Sequence, residues 1–173
     1  MIVNRAVHHL ALIVALVGTI GCDHITKQLA SNSLAGRPTQ SFLGDTIRLR
    51  YLENTGAFLS LGARLPPTAR TALFTVATGL MLAGLGSVAF RRRRDGWTAL
   101  GLTLFVAGGL SNWIDRAVSG RVVDFMNVGI GPVRTGVFNV ADMAITIGGP
   151  LLLLSAYVAS RHEAEPATRD EVT

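Results

Sequence analysis

The apolar residues of the chain are concentrated in four long stretches, which are separated by charged residues, glycine and proline. A helix of about 20 apolar residues crosses the hydrocarbon core of a bilayer, so these stretches predict four transmembrane helices. Their approximate bounds are residues 6–28, 68–90, 97–118 and 139–160. The first stretch becomes more polar at its end, where Asp23 and Lys27 are expected on the last turns of the helix.

Shorter segments between these stretches alternate apolar and polar side chains with the two-residue period of a half-buried strand. Near residue 50, Ile47 and Leu49 would face one side and Arg48 and Arg50 the other. The segments "RVVDFMNV" and "PVRTGVF" show a similar pattern, with glycine and proline between them to turn the chain. We therefore expect a small β cap at one membrane surface. Its residues would come from 31–66 and 119–138.

The composition indicates that a bilayer is the solvent of most of the chain. Of 173 residues, 49% are hydrophobic and 16% charged, and the mean hydropathy is +0.42, which is apolar for a soluble domain of this length. We predict an α-helical integral membrane protein with four transmembrane helices and a small extracytoplasmic β cap, forming one membrane domain over residues 1–160. The polar residues 161–173 are expected to be a disordered cytoplasmic tail.

The cysteine count and the charge pattern argue against several functional classes. The single Cys22 cannot form an intramolecular disulfide, and no cysteine and histidine cluster has metal-ligand spacing, so we expect no metal and no cofactor. The net charge of +5 would suit nucleic acid, but the arginines are scattered or adjoin apolar segments, without interleaved aromatic residues. We expect membrane lipid as a partner and no nucleic acid.

The basic residues also predict the orientation of the helices. Four spans place both termini on the same side as the loop "RRRRDG", and a dense arginine block in a short loop marks the cytoplasmic side. A raw count of Lys and Arg favours the opposite orientation, but charges in a longer folded segment orient a protein less. We therefore predict that both termini are cytoplasmic.

With this topology, the polar residues near the helix ends converge on the extracytoplasmic membrane face. They are Asp23, Lys27, Asn54, Asn112, Asp115, Arg116, Asp124, Asn139 and Asp142. Most of them have an ordinary structural interpretation. Asp23 and Lys27 would form an i,i+4 ion pair, with a lipid phosphate as the alternative partner of Lys27. Asp115 would be held ionised beside Arg116. The asparagines would be turn, cap or interhelical residues.

Asp124 and Asp142 have the weakest structural explanations. Asp124 follows Val123 in an apolar strand pattern, and Asp142 lies one turn inside an apolar helix, where a favourable interaction with the helix dipole is the ordinary alternative. Two carboxyl groups close together in a partly dry site share one proton. The ionised member can take a proton from water while the other donates one, which is the chemistry of peptide hydrolysis without a covalent intermediate. No Ser/His or Cys/His pair in the sequence competes with this assignment.

Five segments, in this order, resemble motifs of the lipoprotein signal peptidases, or signal peptidase II. They are "DHITK", "NTGAFLSLG", "GGLSNWIDR", "GRVVDF" and "VFNVAD". The resemblance implies a four-helix aspartic endopeptidase of the bacterial inner membrane with an extracytoplasmic site. It also implies that the substrates are diacylglyceryl-modified prolipoproteins, cut directly before the lipidated Cys. We expect the enzyme to be a monomer.

The resemblance further implies roles for individual residues. The catalytic dyad would be Asp124 and Asp142. Substrate binding or support of the dyad would involve Asn54, Gly56, Asn112, Arg116 and Asn139. Structural or lipid-facing roles would fall to Asp23, Lys27 and Asp115. In the third segment, Ser111 stands where the family commonly has glycine.

Other interpretations stay open at this point. A small membrane transporter or ion-binding protein could hold a cation with Asp115, Asp124 and Asp142, although the polar residues cluster at one end of the predicted bundle. A noncatalytic scaffold would tolerate asparagine at both dyad positions. The N-terminus up to Cys22 could also be a cleaved lipoprotein signal peptide, but Thr19 fits that cleavage site poorly, so we expect a retained helix.

Overall fold

The computed structural model of the protein describes residues 2–55, 66–91 and 96–164. In chain order its elements are α1 (Ile2–Leu34), β1 (Gln40–Phe42), β2 (Ile47–Asn54), α2 (Pro67–Arg91), α3 (Gly96–Ser119), β3 (Val122–Ile130), β4 (Val133–Arg134) and α4 (Val140–Ala164). The predicted fold class, a mainly helical membrane protein with a small antiparallel sheet, is confirmed.

Three of the helices are long and apolar enough to cross a membrane. These segments are Val7–Leu34, Gly96–Ser119 and Val140–Arg161. Within α2, the apolar segment found among the described residues is the shorter Thr75–Ser87. The count of four membrane spans, and the cytoplasmic position of the termini, therefore stay predictions.

Helix α3 is the centre of the bundle, because it packs against α1, α2 and α4. Among the described elements, α2 packs on α3 alone, where the Trp113 indole N–H donates to the backbone oxygen of Thr75 at 2.7 Å. The crossing of α3 and α4 depends on glycine, since a Cβ added at Gly108 would collide with the backbone oxygen of Ala141. Small residues of this kind let two membrane helices approach closely.

We expect Gly108→Ala to lower the midpoint of thermal unfolding in detergent, at a cost of about 1–3 kcal/mol, because α3 and α4 must move apart. Gly84→Ala is the matched control, since a Cβ at Gly84 in α2 meets nothing within 4 Å. This control should unfold at the wild-type temperature or slightly above it. An equal effect of both substitutions would contradict the close helix contact.

The strands form one four-stranded antiparallel arrangement in the order β1-β2-β3-β4. The sheet packs on the last turns of α1, where Ala30 and Leu34 bury their side chains against Phe125 of β3. Strands near residues 47–52 and in "RVVDFMNV" were predicted and are present as β2 and β3. Strand β1 was not predicted, because its three residues are all exposed and show no alternation.

Two boundaries differ from the expected ones. Helix α1 continues through residues 31–34, which were assigned to the cap, because Leu34 is buried against the sheet. Helix α4 continues to Ala164, so residues 161–164, assigned to the tail, are helical. There the Arg161 guanidinium lies 5.2 Å from the centre of the Tyr157 ring and donates to its hydroxyl, which stabilises the last turns. Residues 165–173 and the central part of the arginine loop, residues 92–95, lie outside the described residues.

Candidate active site

Asp124 is the third residue of β3 and is 2% exposed. Its two carboxylate oxygens each accept a side-chain amide N–H. Asn54 Nδ2 donates to Oδ2 at 3.0 Å, and Asn139 Nδ2 donates to Oδ1 at 2.7 Å. The register of the sheet explains the first contact, because Leu52 of β2 faces Asp124 and Asn54 is its diagonal neighbour.

Burial raises the pKa of Asp124 above its ordinary value, and the nearby Asp142 acts in the same direction. The hydrogen bonds from Asn54 and Asn139, together with the charge of Lys27, lower the pKa and offset part of this increase. The net effect is a carboxyl group that can keep its proton at a pH where an exposed aspartate is ionised.

Asp142 lies in the first turn of α4, and its position depends on a reciprocal cap of that helix. The Asn139 side-chain oxygen accepts the backbone N–H of Asp142 at 2.9 Å, and Asp142 Oδ2 accepts the backbone N–H of Asn139 at 3.2 Å. This is the capping-box arrangement, with asparagine as the N-cap and aspartate at the third helical position. A third contact comes from α3, where Asn112 Nδ2 donates to Asp142 Oδ1 at 2.8 Å.

Asn139 connects the two acids, because it contacts both of them. Its side-chain oxygen is occupied by the N–H of Asp142, so its NH₂ group is directed to Asp124. The segment before α4 also pairs with β3 through two backbone hydrogen bonds between Phe138 and Met126, at 2.8 and 2.9 Å. This pairing brings the start of α4 against the strand that carries Asp124.

A buried ionic cluster lies beside the two acids, at the contact between α1, α3 and α4. Asp23 is fully buried and accepts three hydrogen bonds or ion-pair contacts. Its partners are Lys27 Nζ at 2.5 Å, Ser111 Oγ at 2.7 Å and the backbone N–H of Ala141 at 2.8 Å. The last contact places a negative charge at the N-terminus of α4, where the helix dipole is favourable.

The structure brings together nine of the residues that the sequence singled out, from α1, β2, α3, β3 and α4 and the residue before α4. Asp124 and Asp142 are in contact with Asn54, Asn112 and Asn139, as described above. The Arg116 guanidinium interacts electrostatically with Asp142, Asp124 and Asp115. Gly56, for which we expected a role in substrate binding, lies outside the described residues.

Two expectations about the ionic residues are refined. The predicted i,i+4 pair of Asp23 and Lys27 is present, and Lys27 is only 5% exposed, so it is not positioned to hold a lipid phosphate. Asp115 was expected beside Arg116, but its hydrogen-bonded partner is Lys27 Nζ at 2.6 Å. In the sequence, Ser111 stands out only as a departure from the family motif, and no local pattern pairs it with Asp23, 88 residues away.

Comparisons with known proteins show the family and the fold to which the chain is similar. A model of the family described as "Signal peptidase (SPase) II" matches residues 14–158. The lipoprotein signal peptidase of Streptococcus pneumoniae is 34% identical over 146 residues, which cover 84% of this chain and 90% of that protein. That of Chlorobium phaeobacteroides is 38% identical over 144 residues, covering 76% and 86%. A solved structure described as a bacterial membrane enzyme has the same fold, with a TM-score of 0.77, 24% identity and coverage of 94% of both chains.

Proposed function

The chain belongs to the signal peptidase II family, and we propose that it cleaves diacylglyceryl-modified prolipoproteins directly before the lipidated Cys, using Asp124 and Asp142 as its catalytic dyad. As a member of this family it is a membrane protease that removes signal peptides from lipoproteins. The observation that carries the dyad assignment is the double contact of Asn139, whose side chain donates to Asp124 while its backbone N–H donates to Asp142.

In the proposed reaction the dyad holds one proton. The ionised carboxylate takes a proton from water, and the water oxygen attacks the carbonyl carbon of the scissile peptide bond. The protonated carboxyl group donates to the carbonyl oxygen. When the C–N bond breaks, a proton passes to the leaving amine, which becomes the N-terminus of the lipidated Cys. The raised pKa of Asp124 supports its role as the group that carries the proton in one stage of this cycle.

The surrounding asparagines support the dyad by fixing both carboxyl groups before the substrate arrives. Three side-chain amides, those of Asn54, Asn112 and Asn139, donate to the dyad oxygens. Preorganised donors of this kind cost no rearrangement during the reaction. We assign Arg116 to the same supporting group because of its electrostatic interaction with both acids.

We also propose that the site lies at the extracytoplasmic rim of a four-span bundle in the inner membrane, with both termini in the cytoplasm. The physical support is the position of the dyad at the junction of membrane-length helices and the sheet. A doubly acylated substrate is held in the bilayer, since each buried CH₂ contributes about 0.8 kcal/mol. Its cleavage site is therefore near the membrane surface, where such a rim would meet it.

The direct test is cleavage of a prolipoprotein peptide by the purified wild-type protein in detergent, followed by mass spectrometry of the products. We expect a single cut before the diacylglyceryl-modified Cys, and much slower cleavage of the same peptide with an unmodified Cys. A cut at another bond, or equal cleavage of both peptides, would contradict the proposed specificity.

The pH dependence of the reaction provides a second test. Catalysis requires one protonated carboxyl group, and burial raises the pKa of Asp124, the proposed carrier of that proton, so activity should be lost as pH rises through a value above the ordinary aspartate pKa of about 3.9. The measurement is the alkaline limb of kcat/KM against pH, with the folded fraction followed in parallel. An alkaline limb at or below the ordinary aspartate pKa would contradict the assignment of Asp124 as the proton carrier.

A further inference from the structure

The Lys27 ammonium is buried at the contact between α1 and α3, and three acceptors surround it. Their distances from Nζ are 2.5 Å for Asp23 Oδ2, 2.6 Å for Asp115 Oδ2 and 2.8 Å for Asn112 Oδ1. An ammonium carries three protons and has no acceptor. Each of its protons is therefore matched by one oxygen, and the side chain has a single defined position.

We propose that Lys27 is a positioning residue of the peptidase, because its ammonium fixes the orientation of the Asn112 amide that donates to Asp142. The inference rests on the proposed function and adds a residue to it. If the amide were reversed, its NH₂ group would face the ammonium, and two donors would oppose each other. The Asn112 oxygen must therefore face Lys27, at 2.8 Å, and it also accepts a longer hydrogen bond from Asn139 Nδ2 at 3.3 Å. This leaves Asn112 Nδ2 to donate to Asp142 Oδ1 at 2.8 Å.

The fixed amide has a chemical consequence for the dyad. A hydrogen bond donated to a carboxylate favours its ionised form, and the positive charge of Lys27 acts in the same direction on both acids. Without Lys27, the Asn112 amide could reverse, and its oxygen would then accept a hydrogen bond from the protonated form of Asp142, so the dyad would bind protons more tightly. The dyad would then lose its ionised member at a higher pH than in the wild type.

Other charged groups lie near the dyad, and their charges determine whether a substitution makes the dyad easier or harder to ionise. Arg116 of α3 favours ionised acids, as Lys27 does, whereas Asp23 of α1 opposes ionisation. Asp115 of α3 lies 2.6 Å from Lys27 Nζ, so its negative charge offsets part of the favourable effect of Lys27. His24 of α1 is linked to this set through Asp115, with 3.6 Å between Nδ1 and Oδ1. The acid limb is the fall of activity at low pH, where the ionised member of the dyad takes up a proton. It should therefore move to higher pH when a cation is removed from this set and to lower pH when an anion is removed.

The test is the pH profile of kcat and KM for Lys27→Met, measured in detergent with the lipidated prolipoprotein peptide. We expect the acid limb to move to higher pH by about one unit. The plateau of kcat should fall about ten- to a hundred-fold, with a smaller change in KM, because supporting residues of a reactive group have effects of this order. A folded Lys27→Met variant with the wild-type acid limb and plateau would overturn the proposal.

Asp115→Asn is the matched control, because it removes an anion from the same cluster and leaves the contact between Lys27 and Asn112 in place. Its acid limb should move to lower pH. A merely structural role of the cluster would reduce the folded fraction of both variants without shifting either limb. If Lys27→Met does not fold, Asn112→Ala decides, because it removes the same donor from Asp142, and an acid limb that does not move to higher pH overturns the proposal.

The two proposals fail in different ways. A wild-type protein that does not cleave the peptide, or a fully active Asp142→Asn variant, would refute the proposed function itself. An active wild type with an inactive Asp142→Asn variant, combined with an unshifted limb in Lys27→Met, would refute only the role of Lys27.

Discussion

Asp124→Asn and Asp142→Asn are each expected to lower kcat for the lipidated peptide by about 10³- to 10⁴-fold, because asparagine can neither accept the proton from water nor donate one in return. The substitution keeps the shape of the side chain and an oxygen that can accept the amide N–H of Asn139 or Asn112. The measurement is single-substrate kinetics in detergent at pH 7, with each variant checked for folding.

Asp45→Asn is the matched control for this experiment, since it makes the same chemical change away from the dyad. Asp45 lies in the turn between β1 and β2 with a φ of 69°, a conformation that asparagine also adopts readily. Its carboxylate pairs with Arg48, which holds the pKa of Asp45 below its usual range. We expect wild-type activity for this variant. A folded Asp124→Asn or Asp142→Asn protein with full activity would contradict the catalytic dyad and favour the alternative that these acids bind a cation.

The stability of Asp124→Asn carries further information. Burial raises the pKa of Asp124 in the folded protein, so the ionised carboxylate is less favourable there than in the unfolded chain. At pH 7 this difference lowers the free energy of unfolding, and the cost disappears as pH falls below the unfolded pKa. The variant also loses one of the two amide hydrogen bonds that the carboxylate accepts, so we expect these effects to offset each other and the unfolding temperature at pH 7 to change little. Lost activity with retained stability would separate catalysis from folding.

Asp23→Ala is expected to lower the free energy of unfolding by about 3–5 kcal/mol, the usual cost of breaking a buried ion pair. Asp23 is fully buried, and its removal leaves the Ser111 hydroxyl and the N–H of Ala141 without their acceptor. Lys27 also loses one of its two carboxylate partners. The measurement is unfolding by heat or denaturant in detergent, and the start of α4 should be the first region to lose protection from hydrogen exchange.

The control for Asp23 is an acid whose ion pair is exposed. Glu53 of β2 lies 3.3 Å from Arg121, and its side chain is 37% exposed. Pairs of this kind contribute about 0–1 kcal/mol, so Glu53→Ala should have a much smaller effect on unfolding. If the two substitutions had equal effects, the buried cluster would not be the link that joins α1 to α4.

Much of the fold could be predicted because the relevant signals are local. Apolar stretches of membrane length predicted helices that the structure contains as α1, α3 and α4, and the alternation around Leu49 predicted β2. The three-residue strand β1 gave no such signal, because none of its side chains is buried. The ends of α1 and α4 were misjudged for a related reason, since contacts such as that between Leu34 and the sheet extend a helix beyond its apolar stretch.

The contacts within the ends of α1 and α4 follow from local sequence spacing. Asn139 and Asp142 are three residues apart, a spacing that puts them on one helix face and permits the reciprocal cap, and the i,i+4 spacing of Asp23 and Lys27 predicted their pair. These contacts form within a single helical turn, so they depend on little besides neighbouring residues.

The contacts between these elements depend on the packing of the whole fold. Asp23 caps α4 from 118 residues away, Lys27 reaches Asn112 across 85 residues, and Asn54 reaches Asp124 across 70. Such contacts require the close packing of α3 on α4 at Gly108 and the pairing of β2 with β3. The free energy of burying polar groups explains the outcome: a buried charge is tolerated only where distant elements supply its partners, and no local pattern encodes which elements those are.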